Sequence, residues 1–132
     1  MNKEYLIVFE QPSKPLSLNQ AYSMHWSKRR RYFQDWAINL KIAYSKLIAK
    51  EDIDVAPMNL QFTFTFNKKA RRDPHNYIAT VKKLIDVLVE EGLVPDDTAE
   101  WISVAEPVLR IDNDNLCYIK IEMRERNDND NK

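Results

Sequence analysis

Residues 73–97 concentrate side chains that could bind a metal ion. His75, Lys82 and Asp86 are separated by seven and four residues, so they fall on one face of a helix. Asp73 stands just before that helix, and Asp97 follows the loop after it. Carboxylate oxygens are the ligands that Mg²⁺ prefers in proteins. If the loop carrying Asp97 folds back beside Asp73, the sequence predicts a magnesium site here.

Such a site would suit the hydrolysis of a phosphodiester. A bound metal ion lowers the pKa of an attacking water and neutralises charge on the scissile phosphate, and two ions can share these tasks. A lysine beside the metal adds a fixed positive charge where negative charge develops. Lys82 is the candidate for that role.

Each of these residues also has a purely structural interpretation. Asp73 followed by Pro74 is typical of a helix N-cap with proline at the first helical position. Asp97 with a glutamate three residues later could form a capping box. His75 could be an ordinary surface histidine, and Lys82 with Asp86 a simple i,i+4 ion pair. Capping and metal binding are not exclusive, so both interpretations stay open.

The charges of the chain balance, but they are segregated. Lysine plus arginine and aspartate plus glutamate each number 20, which argues against a protein that coats nucleic acid by bulk charge. Three basic runs occupy residues 28–31, 68–72 and 82–83, while acids collect around residues 90–97 and after residue 124. Segregation of this kind can give a positive groove on a neutral protein, although each run alone could be a solvated face.

The positions of apolar residues predict the elements that carry these groups. Residues 5–9 are continuously apolar and β-prone, and a loop through Ser17, Asn19 and His25 follows. Apolar residues at helical spacing predict a helix from an N-cap at Ser27 to near Lys50. Residues 60–66 alternate between apolar and polar, which indicates a strand with one buried face.

The second half of the chain gives one more helix and two more strands. A helix from about residue 77 should end near residue 91, where Gly92 can adopt a left-handed conformation. Residues 102–111 predict a strand that Pro107 confines to an edge or bulge, and residues 116–123 predict the last strand. The sequence therefore predicts an α+β domain over residues 1–124, with a single mixed sheet of about four strands and two main helices in the order β-α-β-α-β-β. The polar residues 125–132 are expected to form a disordered tail.

The composition indicates a protein of the cytoplasm. Cys117 is the only cysteine, so no intramolecular disulfide is possible. No apolar run is long enough to cross a membrane, and the apolar stretch near the N-terminus is too short for a signal peptide. We therefore expect a reduced, cytoplasmic protein that does not bind membranes.

Two segments of the chain resemble RusA-type Holliday junction resolvases. Residues 71–97, RRDPHNYIATVKKLIDVLVEEGLVPDD, are similar to the family signature of arginines, Asp-x-Asp-Asn, a helix bearing Lys and Asp-x-Leu, a glycine and a closing Asp-Asp. Residues 15–36, PLSLNQAYSMHWSKRRRYFQDW, resemble the family's Pro-Ser-x-Asn opening with a basic helix start. The resemblance implies a homodimeric, Mg²⁺-dependent endonuclease that makes paired cuts in four-way DNA junctions during recombination and repair, with a prophage role as the family expectation.

The resemblance also assigns roles to individual residues. Asp73 and Asp97 match the essential carboxylates, Lys82 the catalytic lysine and Asp86 the acid on the helix face, so the implied ligands of the metal are Asp73, His75, Asp86 and Asp97. Two features depart from the pattern. His75 stands where many members have the second aspartate, and Lys82 and Asp86 are displaced by about three residues. Since histidine is a softer ligand than carboxylate, Mn²⁺ could replace Mg²⁺, or activity could be lower.

The basic runs then acquire a role as contacts to DNA phosphates, which position a duplex without reading its sequence. The predicted DNA-binding residues are Arg29, Arg30, Arg31, Lys69, Arg71, Arg72 and Lys83. Trp26 and Trp101 could stack on unpaired bases, but core packing or a dimer contact is favoured for both.

Two rival functions remain open. One is a branched-DNA-binding protein of the same fold without catalysis, and the other is an α+β interaction module whose acidic loop binds a basic protein. Calcium binding by Asp112 and Asp114 is excluded, because an EF-hand counted from Asp112 would have Cys117 in place of the required glycine and Met123 in place of the glutamate.

Overall fold

The computed structural model describes residues 3–126 and contains five strands and three α-helices around one sheet. This confirms the predicted α+β class with a single mixed sheet. The elements in chain order are β1 Glu4–Glu10, α1 Leu18–Ser23, α2 Trp26–Ile48, β2 Met58–Phe66, a 3-10 helix Pro74–Tyr77, α3 Ile78–Glu90, β3 Ile102–Val104, β4 Val108–Ile111 and β5 Tyr118–Glu125.

The helix α1 occupies a segment for which a loop was predicted. A capping box stabilises it: the Gln20 backbone N–H donates to Ser17 Oγ at 3.2 Å, and the Ser17 N–H donates to Gln20 Oε1 at 2.9 Å. The next helix, α2, begins at Trp26, and its N-cap is His25 and not the predicted Ser27. The Ser27 N–H instead donates to His25 Nδ1 at 3.2 Å.

The sheet is built around β2 and β5. The strand β5 pairs antiparallel with both β1 and β2, and the other edge of β2 pairs in parallel with β3 and then with β4. The strand predicted over residues 102–111 is therefore two short strands on one edge of the sheet. Pro107 lies between them and has no N–H to donate, and its predicted place at an edge of the sheet is confirmed.

The helices α2 and α3 pack on one face of this sheet. Trp36 and Leu40 of α2 and Leu84 of α3 are fully buried against Phe62 and Phe64 of β2. The buried positions of α2 recur every three or four residues, as its amphipathic pattern predicted. The core thus fixes both helices that carry the candidate functional residues.

One buried tyrosine ties the N-terminal loop to both helices. Tyr32 of α2 accepts a hydrogen bond from the Leu16 N–H at 2.8 Å, and its hydroxyl lies 2.7 Å from Thr80 Oγ1 of α3. Burial raises the pKa of Tyr32, so the phenol stays neutral at physiological pH. The basic start of α2 is therefore held at a fixed position relative to α3.

The ends of the described chain add two facts. The strand β5 ends at Glu125, and the Arg126 guanidinium donates to the Ala99 carbonyl at 3.0 Å, so residues 125 and 126 of the predicted tail belong to the folded domain. The remaining residues of that tail, 127–132, lie outside the described residues. Within residues 3–126, no helix is both long and apolar enough to cross a membrane.

Candidate metal centre and nucleic-acid surface

A glycine turn at the end of α3 determines where the chain goes next. Gly92 has φ +91°, and its N–H donates to the Val89 carbonyl at 3.0 Å. The Leu93 N–H donates to the Leu88 carbonyl at 3.0 Å, and both leucine side chains are fully buried. These two bonds and the apolar contact are a Schellman motif, which reverses the chain at the helix end. As a result, the loop that leads to Asp97 starts against the last turns of α3.

Asp86, near this end of α3, interacts electrostatically with Asp97 of the following loop. The pKa of Asp86 is raised, first by partial burial of its carboxyl group and then by the negative charge of Asp97. Lys83 and Lys82 lower the pKa of Asp86, but their effect does not cancel the rise. The carboxylates of Asp86 and Asp97, which come from separate segments, are therefore near enough to interact electrostatically.

No helix begins at Asp97, so the capping box considered for it does not form. The segment after it makes a turn in which the Trp101 N–H and the Ile102 N–H both donate to the Thr98 carbonyl at 2.9 Å. Asp96 fixes the preceding backbone by accepting from the Asp97 N–H at 2.8 Å. The Asp97 side chain is exposed. Its carboxylate is thus available to a ligand.

Asp73 and His75 lie at the opposite end of the same helical segment. The Asp73 carboxylate accepts from the His75 N–H at 3.0 Å, which confirms its interpretation as an N-cap followed by proline. His75 Nε2 lies 3.8 Å from Glu106 Oε1, and both side chains are exposed. The helical rise separates Asp73 from Asp86 by roughly 20 Å along the axis.

The four predicted metal ligands therefore do not form one group. Among residues 3–126, no set of three or more His, Cys, Asp or Glu side chains is placed to hold a metal ion. No such group joins Asp97 to Asp73 within the described residues, whereas Asp97 is near enough to Asp86 to raise its pKa. The two predicted ligands between which an interaction is found are therefore Asp86 and Asp97.

Such a pair suits a hard cation. Mg²⁺ is commonly bound by one or two carboxylates together with water and substrate phosphate, and does not need a closed protein cage. Lys82 is one helical turn before Asp86 and exposed. Among the described residues, no ion pair within 4 Å joins Lys82 to Asp86, so the i,i+4 pair considered for them does not form. The Lys82 ammonium can therefore reach a phosphate bound beside the carboxylates.

The predicted DNA-binding cations are not used in ion pairs of the described chain. The pairs within 4 Å involve other cations, namely Lys3, His75, Lys120 and Arg124. Arg30, Arg31, Lys69 and Arg71 are exposed, whereas Lys83 is half-buried. Arg72 is the most constrained of the set: its guanidinium stacks 3.9 Å from the centroid of the Phe66 ring and donates to the Lys68 carbonyl at 3.0 Å.

Core packing, one of the two roles favoured for Trp26, is wrong. Trp26 is 61% exposed and Tyr22 is 66% exposed, while Trp101 is half-buried and packs against the core as expected. The guanidinium of Arg29 lies 5.2 Å from the centroid of the Tyr22 ring. The capping box at Ser17 is the signal that could have revealed α1.

No protein-family model and no curated protein matches this chain. The likeness to RusA-type resolvases rests on the motifs in residues 15–36 and 71–97.

Proposed function

We propose that this chain is a metal-dependent endodeoxyribonuclease of the RusA-like type, a Holliday junction resolvase that makes paired incisions in four-way branched DNA. The observation that carries the proposal is the Asp86–Asp97 pair, in which Asp97 raises the pKa of Asp86 beside two lysines. The motif order of residues 71–97 supports the same reading. Carboxylates can hold a divalent ion that activates water and neutralises phosphate charge, which is the chemistry of metal-assisted phosphodiester hydrolysis.

The residues of the pair fit Mg²⁺, and also Mn²⁺. Asp86 and Asp97 would hold the ion, which when bound supplies an acidified water and charge neutralisation at the phosphate. Partial burial and the negative charge of Asp97 disfavour the ionised form of Asp86, which raises its pKa when no cation is bound. Lys82 would bind a phosphate oxygen and offset the charge that develops on it. Asp73 and His75 lie at the other end of α3 and would not hold this ion. There the Asp73 carboxylate caps the helix start by accepting from the His75 N–H.

The cations on α2, on α3 and before the 3-10 helix would place the duplex along α3. Arg29, Arg30 and Arg31 are on the first turns of α2, which Tyr32 anchors to α3. Lys69, Arg71 and Arg72 precede the 3-10 helix, and Lys83 lies on α3 beside Lys82. Contacts from these groups to phosphates would make the affinity for DNA fall steeply with salt.

A homodimer follows from the proposed reaction. Paired cuts in a four-way junction need two equivalent active sites, and a two-fold dimer supplies them. A dimer measured by light scattering at micromolar concentration supports this assembly, and a monomer at those concentrations contradicts it. The proposed setting is DNA recombination and repair in the cytoplasm.

The test is cleavage of a synthetic four-way junction, with each strand labelled in turn, in Mg²⁺ or Mn²⁺. We expect paired nicks by the natural protein and loss of at least roughly 100-fold in rate for Asp97→Asn and Asp86→Asn, because each removes one of two metal ligands. Asp114→Asn is the matched control, since Asp114 is an exposed carboxylate in the turn before β5. Loss of cleavage in Asp73→Asn but not in Asp86→Asn would contradict this assignment and indicate a metal site at the other end of α3.

A second candidate is a branched-DNA-binding protein without catalysis. Two observations favour it: His75 occupies the place of an aspartate in the resembled motif, and the described residues hold no group of three ligands. Salt-sensitive binding of the junction without nicking in either metal would establish this candidate and exclude the nuclease.

A further inference from the structure

We infer that Tyr22, His25 and Trp26 form a base-stacking platform that binds unpaired nucleotides of DNA. The three side chains follow one another at the junction of α1 and α2, and all three are exposed. Trp26 and Tyr22 expose 61% and 66% of their surface, although aromatic rings of this size are usually buried in a protein that has a core to receive them. The surface formed by these three residues is called the aromatic platform below.

The rings of the aromatic platform are held in place before any ligand binds. His25 is the N-cap of α2 and its Nδ1 accepts from the Ser27 N–H at 3.2 Å, which fixes the plane of the imidazole. The His25 and Trp26 ring centroids are 5.6 Å apart, and the two planes are inclined by 33°. On the other side, the Arg29 guanidinium lies 5.2 Å from the centre of the Tyr22 ring. A preorganised surface loses little conformational entropy when a ligand stacks on it.

The charge around the aromatic platform selects an anionic ligand. Residues 11–34 include five lysines and arginines and no aspartate or glutamate. Four of these cations, residues 28–31, stand in the first turns of α2, whose first turn contains no acid. Cations at this end oppose the helix dipole, so their position does not serve helix stability. Their place beside exposed rings matches a polyanion that also carries flat bases.

Single-stranded DNA combines those two properties. Proteins that bind it without sequence preference use a positive groove for the backbone and aromatic side chains on which bases stack. Paired bases hide their faces within the duplex, so the aromatic platform would act on unpaired nucleotides, such as those at an open branch point. An acidic protein segment could form ion pairs with the cations, but its carboxylates would not stack on the aromatic rings. The inference rests on the proposed function for the choice of DNA as the ligand, but it needs neither metal nor cleavage.

The experiment measures binding in EDTA, so catalysis plays no part. Fluorescence anisotropy follows the titration of a labelled oligothymidylate of about 12 nucleotides, within the usual site size of such surfaces, and of an abasic oligonucleotide of the same length. We expect Trp26→Ala to weaken binding of the oligothymidylate roughly 5- to 150-fold, the range for loss of one stacked base. Binding of the abasic strand should change less than about twofold, because its phosphate contacts are intact.

Two control variants isolate stacking. Trp26→Phe keeps an aromatic face and should retain most of the affinity for oligothymidylate. Ile42→Ala removes a side chain of α2 that is 53% exposed but far along the helix from the aromatic platform, and should leave binding unchanged. Equal loss on both oligonucleotides, or a Trp26→Ala variant that binds as Ile42→Ala does, overturns the inference.

The result also separates the inference from the proposed function. If junction cleavage depends on Asp97 but single-strand binding is unchanged in Trp26→Ala, the inference of an aromatic platform is overturned and the proposed nuclease is not. Single-strand binding that depends on Trp26, without cleavage in any metal, supports the platform and overturns the nuclease. Equal binding of polyglutamate and oligothymidylate, both lost in Trp26→Ala, assigns the surface to an acidic protein and overturns the inference.

Discussion

Replacing Gly92 by alanine tests how the chain brings Asp97 beside Asp86. Gly92 has φ +91°, a conformation that costs an L-residue roughly 1–2 kcal/mol. An added Cβ would meet no atom within 4 Å, so crowding contributes nothing to the loss. We therefore expect Gly92→Ala to lower the free energy of unfolding by about 1–2 kcal/mol, entirely through the backbone.

Urea unfolding monitored by tryptophan fluorescence measures this loss, since Trp36 is fully buried. The midpoint should fall while the slope with urea stays the same, because the surface exposed on unfolding is unchanged. Gly92→Asn is the matched control and should lose less, since asparagine tolerates the left-handed conformation better than alanine. An alanine variant as stable as the natural protein, or no more destabilised than the asparagine variant, would refute the role assigned to the turn.

Three further predictions follow from the same contacts. Tyr32→Phe should cost about 1–3 kcal/mol of unfolding free energy, because the buried Thr80 hydroxyl and a backbone N–H lose their partner; a double-mutant cycle with Thr80→Val measures the coupling. Asp86→Asn should raise the melting temperature in EDTA. The raised pKa of Asp86 means that its contribution to stability is present below the unfolded-state pKa and is lost as pH rises through the folded-state value, so the gain should appear near neutral pH and vanish in acid, as calorimetry can show. Arg30→Ala with Arg31→Ala should reduce the slope of log affinity for duplex DNA against log salt by about 2, whereas an unchanged slope excludes phosphate contacts there.

Local patterns predicted the elements that carry the site. The period of apolar residues predicted α2 and α3 to within about two residues, and the alternation in residues 60–66 predicted most of β2. Gly92 also ended α3 as predicted, since only glycine adopts that conformation without strain. These features depend on neighbours within a few positions, which a sequence displays directly.

The misses depend on contacts that no local pattern encodes. The short helix α1 was missed because its capping box spans only Ser17 to Gln20 and precedes a weak apolar pattern. Core packing, one of the roles favoured for Trp26, is wrong because residue type does not reveal exposure, and Trp26 is 61% exposed. The resemblance pairs Asp73 with Asp97, on the condition that the loop after α3 folds back. The direction in which that loop leaves α3 depends on the turn at Gly92 and on the burial of Leu93, which the local pattern does not show.

Binding of Mn²⁺ followed by NMR tests the central claim directly, namely that Asp86 and Asp97 share one divalent cation. Paramagnetic Mn²⁺ should broaden the backbone amide signals of Asp86 and Asp97 first, with no broadening at those positions in Asp97→Asn. Broadening that begins instead at His75 and Glu106, or that is unaffected by Asp97→Asn, would contradict the account.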